Sequence, residues 1–397
     1  MTNLFLWQSE PNWANSVTET LEWKTDVLQS YSGAEQRVAR RLSPRRTFEF
    51  SILIDGNERS RFENRLAYAG ASTWYLPVYP DVTFLDNNIT TGTTILPCET
   101  VGRDFVVGNK VLIKSEINNI NKSALLEVAA INDDSITLIN PVSVDFNAGA
   151  LIYPVRLAVL TDMPALTRYN DDLLSSQIRF RVTEHNAYSN DVSFLDRYRQ
   201  FPVLNIQPDW SESLKGKYER LLLELDNNSG IPHRLDTANL PFFVQEFRWF
   251  LTERNEQRQL RQLFYYLNGR QKNIWVSSQS SDFNVSAIVL NRILAVENTG
   301  FSEVGLMSSR RDIAITLTNQ TVLYRRITAV AVFSDDIEYL LPDSTLDIDA
   351  KDIVSVSFLT LCRLDSDSVS WEHVTDADGL ANITCSFRGV RDELESV

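Results

Sequence analysis

Glu10-Pro11-Asn12-Trp13-Ala14-Asn15-Ser16-Val17, near the start of the chain, answers to Gln207-Pro208-Asp209-Trp210-Ser211-Glu212-Ser213-Leu214 in its middle, and the tryptophans lie 210 − 13 = 197 positions apart. Tyr31-Ser32-Gly33-Ala34-Glu35-Gln36-Arg37 answers to Asn228-Ser229-Gly230-Ile231-Pro232-His233-Arg234 at the same spacing. A repeat of this length decides the fold before any local pattern does. Working outward, Arg46-Thr47-Phe48-Glu49-Phe50, Asn57-Glu58-Arg59, Ala69-Gly70 and Trp74-Tyr75-Leu76 correspond to Gln245-Glu246-Phe247-Arg248-Trp249, Asn255-Glu256-Gln257, Asn268-Gly269 and Ile274-Trp275-Val276. Further on, Glu127 to Leu138 lies over Ala329 to Leu340, and Ile178-Arg179-Phe180-Arg181-Val182 over Ser386-Phe387-Arg388-Gly389-Val390. Five ordered anchors with a slowly drifting offset imply a tandem duplication.

Within each copy the patterns predict strands and one helix. Alternation from Leu21 to Leu28, and from Tyr218 to Leu225, reads as a strand, closed by the Ser32-Gly33 or Ser229-Gly230 turn. A second strand (Thr47 to Ile54; Phe243 to Leu251) precedes a helix of about 13 residues ending at Gly70 or Gly269, where glycine is favoured just past a helix end. Leu260, Leu263, Phe264 and Leu267 sit at helical spacing and should pack it on a sheet. Short strands with turn signals such as Asn132-Asp133-Asp134-Ser135 and Ser334-Asp335-Asp336 then read as a small barrel or sandwich. The fold class expected is mainly β (α+β). Its domains are a tube-like β unit at 1–80 with closing strand 175–184, a small β-module at 81–174, a connector at 185–206, a second tube-like unit at 207–280 with closing strand 381–391, and a second module at 281–380.

Composition narrows the function. The 397 residues are 43% hydrophobic and 23% charged, ordinary globular values. A formal charge of −14 repels a phosphate backbone, so no specific nucleic-acid binding is expected. No apolar run is long enough to span a bilayer, and the N-terminal segment lacks the basic region and apolar core of a leader peptide; cytoplasmic folding without membrane insertion follows. Cys98, Cys362 and Cys385 have no metal-type spacing and are expected to be reduced and mostly buried.

Chemistry is sparse. The three histidines, His185, His233 and His373, occupy non-equivalent places, and the phosphate-loop, nucleophile-elbow and zinc-helix patterns are absent. Asp343, Asp347, Asp349 and Asp352, and Asp376-Ala377-Asp378-Gly379, hold oxygen ligands suited to calcium, but no ligating Glu follows at the required distance, and acidic turns at strand ends are the simpler reading. No cofactor or metal is expected, and no enzyme, although a pair of carboxylates for glycan hydrolysis is defined in space rather than in sequence. Arg37, Arg40, Arg41, Arg45 and Arg46 stand out on this acidic chain as a candidate subunit interface, because arginine forks pair with carboxylates. A solvated loop is the competing reading.

Ser32-Gly33-x-Glu35-Gln36-Arg37, then Pro44-Arg45-Arg46-x-Phe48, a helix ending in Gly70, and Trp74-Tyr75-Leu76-Pro77 together resemble the head of proteins encoded among phage tail genes. The strand-helix-strand order is similar to the tail-tube-like fold of distal tail and baseplate hub proteins. The resemblance implies a virion part at the tail tip that forms a ring around the tail channel and joins tube to hub or fibres. It implies self-association, as a homotrimer with a pseudo-sixfold ring or as a homohexamer in two layers, and contacts with other tail proteins. A carbohydrate- or receptor-binding adhesin is the alternative, with Trp and Tyr stacking on sugars, although Trp13 and Trp210 recur at equivalent positions, which favours packing.

Overall fold

The structure is a computed structural model and describes residues 4–117, 120–307 and 309–391; residues 1–3, part of the segment read against a leader peptide, lie outside it. Strands hold 46% of the chain and helices 10%, in large antiparallel sheets, so the mainly β class is the one observed.

Strand Arg45–Ile54 shows how alternation becomes architecture: Arg46, Phe48, Phe50, Ile52 and Ile54 point inward and their neighbours outward. It pairs with Val17–Glu22 on one edge and Leu174–Val182 on the other. Helix α1 (Gly56–Ala69) lays Phe62, Leu66 and Ala69 on this sheet, against Trp7, Trp74 and Phe180. In the second half, strand Phe242–Leu251 pairs with Gly216–Glu219 and Ala381–Gly389, and helix α2 (Arg254–Leu267) buries Leu260, Leu263, Phe264 and Leu267, the residues whose spacing marked its apolar face.

The pairings of the two halves run in parallel. Thr73–Pro77 pairs with Leu151–Leu160, and Ile274–Ser277 with Ile353–Leu364. Each of those long strands also meets a module hairpin, Lys110–Ile117 with Ile120–Asn132 or Asp312–Leu317 with Val322–Val332. Each module has a separate core, one around Leu96, Val111 and Phe146, the other around Phe283, Leu294 and Ile313.

Several boundaries differ from those read in the sequence. The stretch 21–28 is two strands, because Trp23 turns inward and the chain leaves the sheet at Lys24 to form the hairpin Thr25–Gln29/Glu35–Ala39. Its counterpart divides likewise into Gly216–Glu219 and the hairpin Leu222–Leu225/His233–Asp236. The module ends move inward: Leu151–Leu160 and Ile353–Leu364 pair with the module hairpins along their first parts and cross into the main sheets along their second. The connector is also shorter than 185–206. Val192, Leu195 and Leu204 are buried in the second core, and Leu204 N donates to Trp275 O as Trp7 N does to Tyr75 O. At the helix ends, Gly70 is right-handed (φ −54°) and is small because a Cβ would meet Met163, whereas α2 ends on Asn268 and Gly269, both at positive φ.

Cys98 and Cys362 are buried; burial, with the Asp86 charge adding to it, pushes the Cys98 thiol up to about 12, which keeps it in the unreactive thiol form. Among the described residues, no helix is long and apolar enough to cross a membrane.

Candidate assembly interface

The two halves are welded by backbone first. Val17–Glu22 of the first half and Ser368–His373 of the second pair antiparallel over six residues, Val17 opposite His373 and Glu22 opposite Ser368. One sheet therefore runs through both halves. Leu21 and Trp23, from the first half, complete the core of the second.

Beneath this ladder lies a buried ion network. Glu19, 1% exposed, accepts from Arg46 at 2.7 Å, from Arg261 of α2 at 2.6 and 2.8 Å, and lies 3.0 Å from His373 Nε2. Arg46 continues to Asp104 in the first module, which also takes Arg156, itself 3.2 Å from Glu184. Burial pushes the Glu19 carboxyl up, but the charges of Arg261 and Arg46 overcome it and hold the group well below the usual carboxylate range. Asp104 is treated the same way: burial raises it, and Arg156 and Arg46 bring it below its ordinary value. Such networks tolerate no missing member, since each ion left behind would be buried alone.

The hairpin 25–39 then grips the second half. Glu35 takes Arg363 bidentately at 2.8 and 2.9 Å, Arg37 donates to Asn273 at 2.7 Å, and Arg391 donates to Ser32 O. Gly33, at φ +82°, sits so close to Phe242 that a Cβ would stand 2.4 Å from its ring. Gly33→Ala is expected to cost more than about 1 kcal/mol from φ strain alone, read as a lower denaturant midpoint; Gly230→Ala, with open space around its Cβ, should change it far less.

The arginine cluster expected as a candidate subunit interface is thus divided between buried and exposed positions. Arg46 is buried in the network and Arg37 is nearly buried against Glu35 and Asn273. Arg40 pairs with Asp26 and Arg41 with Glu22, close by. Arg45 is exposed. What the sequence missed is that the carboxylates drawing Arg37 and Arg46 inward, Glu35, Glu19 and Asp104, belong to this same chain; Glu19 had no signal beyond being an acid at an inward position of a strand.

The acidic loop Asp376 to Gly379 is filled from within the chain. Helix α2 begins at this loop, and the Arg254 guanidinium donates to the Asp376 and Ala377 carbonyls and to Asp81, so a cation already occupies its oxygens. Asp343 accepts from the Arg326 backbone and Asp349 pairs with Lys351. Among the described residues, no three His, Cys, Asp or Glu converge on a metal position.

A groove of about 610 Å³ between α1 and residues 6–13 holds Glu10 and Glu58 near Tyr79 and Tyr153. Glu10 is paired with Lys114, and burial raises the Glu58 carboxyl while Lys114 opposes it. The corresponding groove in the second half has Gln207 in place of Glu10. Trp13 packs on the first core, but Trp210 is 59% exposed, so the expectation that both tryptophans serve packing is corrected for Trp210.

No protein-family model matches the chain, and no curated protein matches it.

Proposed function

We propose that the chain is a structural subunit of a phage tail tip, a tandem duplication whose two like β units are successive positions in a ring around the tail channel, joining tube to hub or fibres. The observation that carries this reading is the ladder between Val17–Glu22 and Ser368–His373. It sets two sheets of matching pairing pattern edge to edge through unlike edges, and a head-to-tail contact between like units is the kind that repeats around a closed ring. The residues that resemble tail proteins support it further, since Gly33, Glu35 and Arg37 of that motif are the ones seated on the neighbouring unit. Three chains supply six positions; a hexamer in two layers is the competing arrangement.

Light scattering followed by particle averaging tests this. Closed rings of three or six chains are expected, and a monomer at every concentration would overturn the reading. The exposed Trp210 is the observation that favours an adhesin instead, and glycan binding lost on Trp210→Ala would establish it.

A further inference from the structure

The junction inside the chain has a donor, strand Val17–Glu22 with its hairpin, and an acceptor, strand Ser368–His373. Each half also carries the other part. The second half has a donor of its own, Gly216–Glu219 with the hairpin Leu222–Leu225/His233–Asp236. The first half has an acceptor, the short strand Thr167–Arg168 and the residues before it. Among the described residues, Gly216–Glu219 pairs only with Phe242–Leu251, and Thr167–Arg168 only with Leu174–Val182. Each therefore leaves one edge open, which sheet proteins ordinarily cover or blunt.

Pairing registers tell which residues correspond. On the donor side the offset is 197, so Leu21 corresponds to Tyr218 and Thr25 to Leu222. On the acceptor side, His373 opposes Ala381 as Arg168 opposes Leu174, an offset of 373 − 168 = 205; Trp371 then corresponds to Leu166. The contrast in burial follows the junction. Leu21, Thr25 and Trp371 are buried where the halves meet, whereas Tyr218 is 56%, Leu222 49% and Leu166 38% exposed, with Met163 and Tyr169 exposed beside Leu166.

We infer that these two open edges are one seam: the 216–236 donor of one copy docks antiparallel on the 163–168 acceptor of the next copy, reproducing between chains the junction found within the chain. The occupant is a second copy of this chain, because the seam continues an interface whose register is already set. The inference rests on the ring reading and adds its contact residues.

The register names its own test. Thr20 Oγ1 and Ser370 Oγ lie 3.1 Å apart across the internal ladder, and their counterparts are Lys217 and Ala165, both exposed. Directly opposed residues of an antiparallel pair are about 4.5–5.5 Å apart at Cα, within disulfide reach. Under mild oxidation, Lys217→Cys mixed with Ala165→Cys should give covalent dimers at least tenfold above either variant alone, and the double variant should give a covalent ladder ending at the ring mass. Leu222→Asp, at an exposed position, should convert rings to monomers with an unchanged unfolding midpoint. Rings that form without this cross-link, or that survive Leu222→Asp, overturn the seam and leave the ring standing; a chain that is monomeric throughout overturns both.

Discussion

Glu19→Gln is expected to lower the unfolding free energy at pH 7 by about 3–5 kcal/mol, the cost of leaving buried ions without their partner. The substitution keeps the shape of the side chain and removes the charge that faces Arg46, Arg261 and His373, so little of the effect is lost packing. The pH dependence has a definite sign. The Glu19 carboxyl is held below its unfolded value, so its contribution is fully present above about pH 4, where the unfolded carboxylate titrates, and is lost as pH falls further. Asp104 acts in the same direction. Urea midpoints at pH 7 and pH 3 check both points: the variant should differ most from the parent at pH 7, and the difference should shrink at pH 3, where part of the linkage is lost. Equal midpoints at pH 7 would mean that the network does not hold the halves together.

Phe264→Ala should cost about 3–5 kcal/mol, the range for emptying a buried aromatic site. Phe264 is fully buried, with Trp249 and Trp371 rings at 6.4 and 6.1 Å. Its counterpart on α1, Leu66, sits at the edge of its core at 8% exposure, and Leu66→Ala should fall near the low end for such a truncation, about 2 kcal/mol. The asymmetry comes from where the helices lie. Helix α2 is enclosed by its own sheet and by the first half, to which it gives Arg254 and Arg261, whereas α1 buries three residues on one side. Thermal or denaturant unfolding of the two variants compares them directly; a larger loss for Leu66→Ala would show that the first helix is the more enclosed.

How much of this was readable beforehand depended on whether the deciding contact was local. The alternation in Arg45–Ile54 and the spacing of Leu260, Leu263, Phe264 and Leu267 fix strand and helix by short-range periodicity, and both are observed. The bend at Trp23 was not readable, because alternation continues through it and only the core of the other half, some 240 residues away, draws the indole inward. The same holds for the site. Arg37 and Arg46 stand out by charge, but their direction is set by Glu35, Asn273, Glu19 and Asp104, and no spacing rule relates these. Leu204 falls within the connector expected at 185–206 because nothing nearby in the sequence sets it apart; only its hydrogen bond to Trp275, like that of Trp7 to Tyr75, places it on the second sheet.

The ladder between Val17–Glu22 and Ser368–His373 also has a consequence for how the chain is made. Its two strands emerge from the ribosome about 350 residues apart; at roughly 5–20 residues per second, that separation amounts to about 20–70 s of translation. Throughout that interval the outer edge of the first strand has no partner from its own chain, and Leu21 and Trp23 have no core to enter. Such an edge is a template for pairing with neighbouring nascent chains, and contacts of this span make folding slow. Overproduction should therefore trap the protein at this step, with slower translation or a holding chaperone raising the yield of native chain.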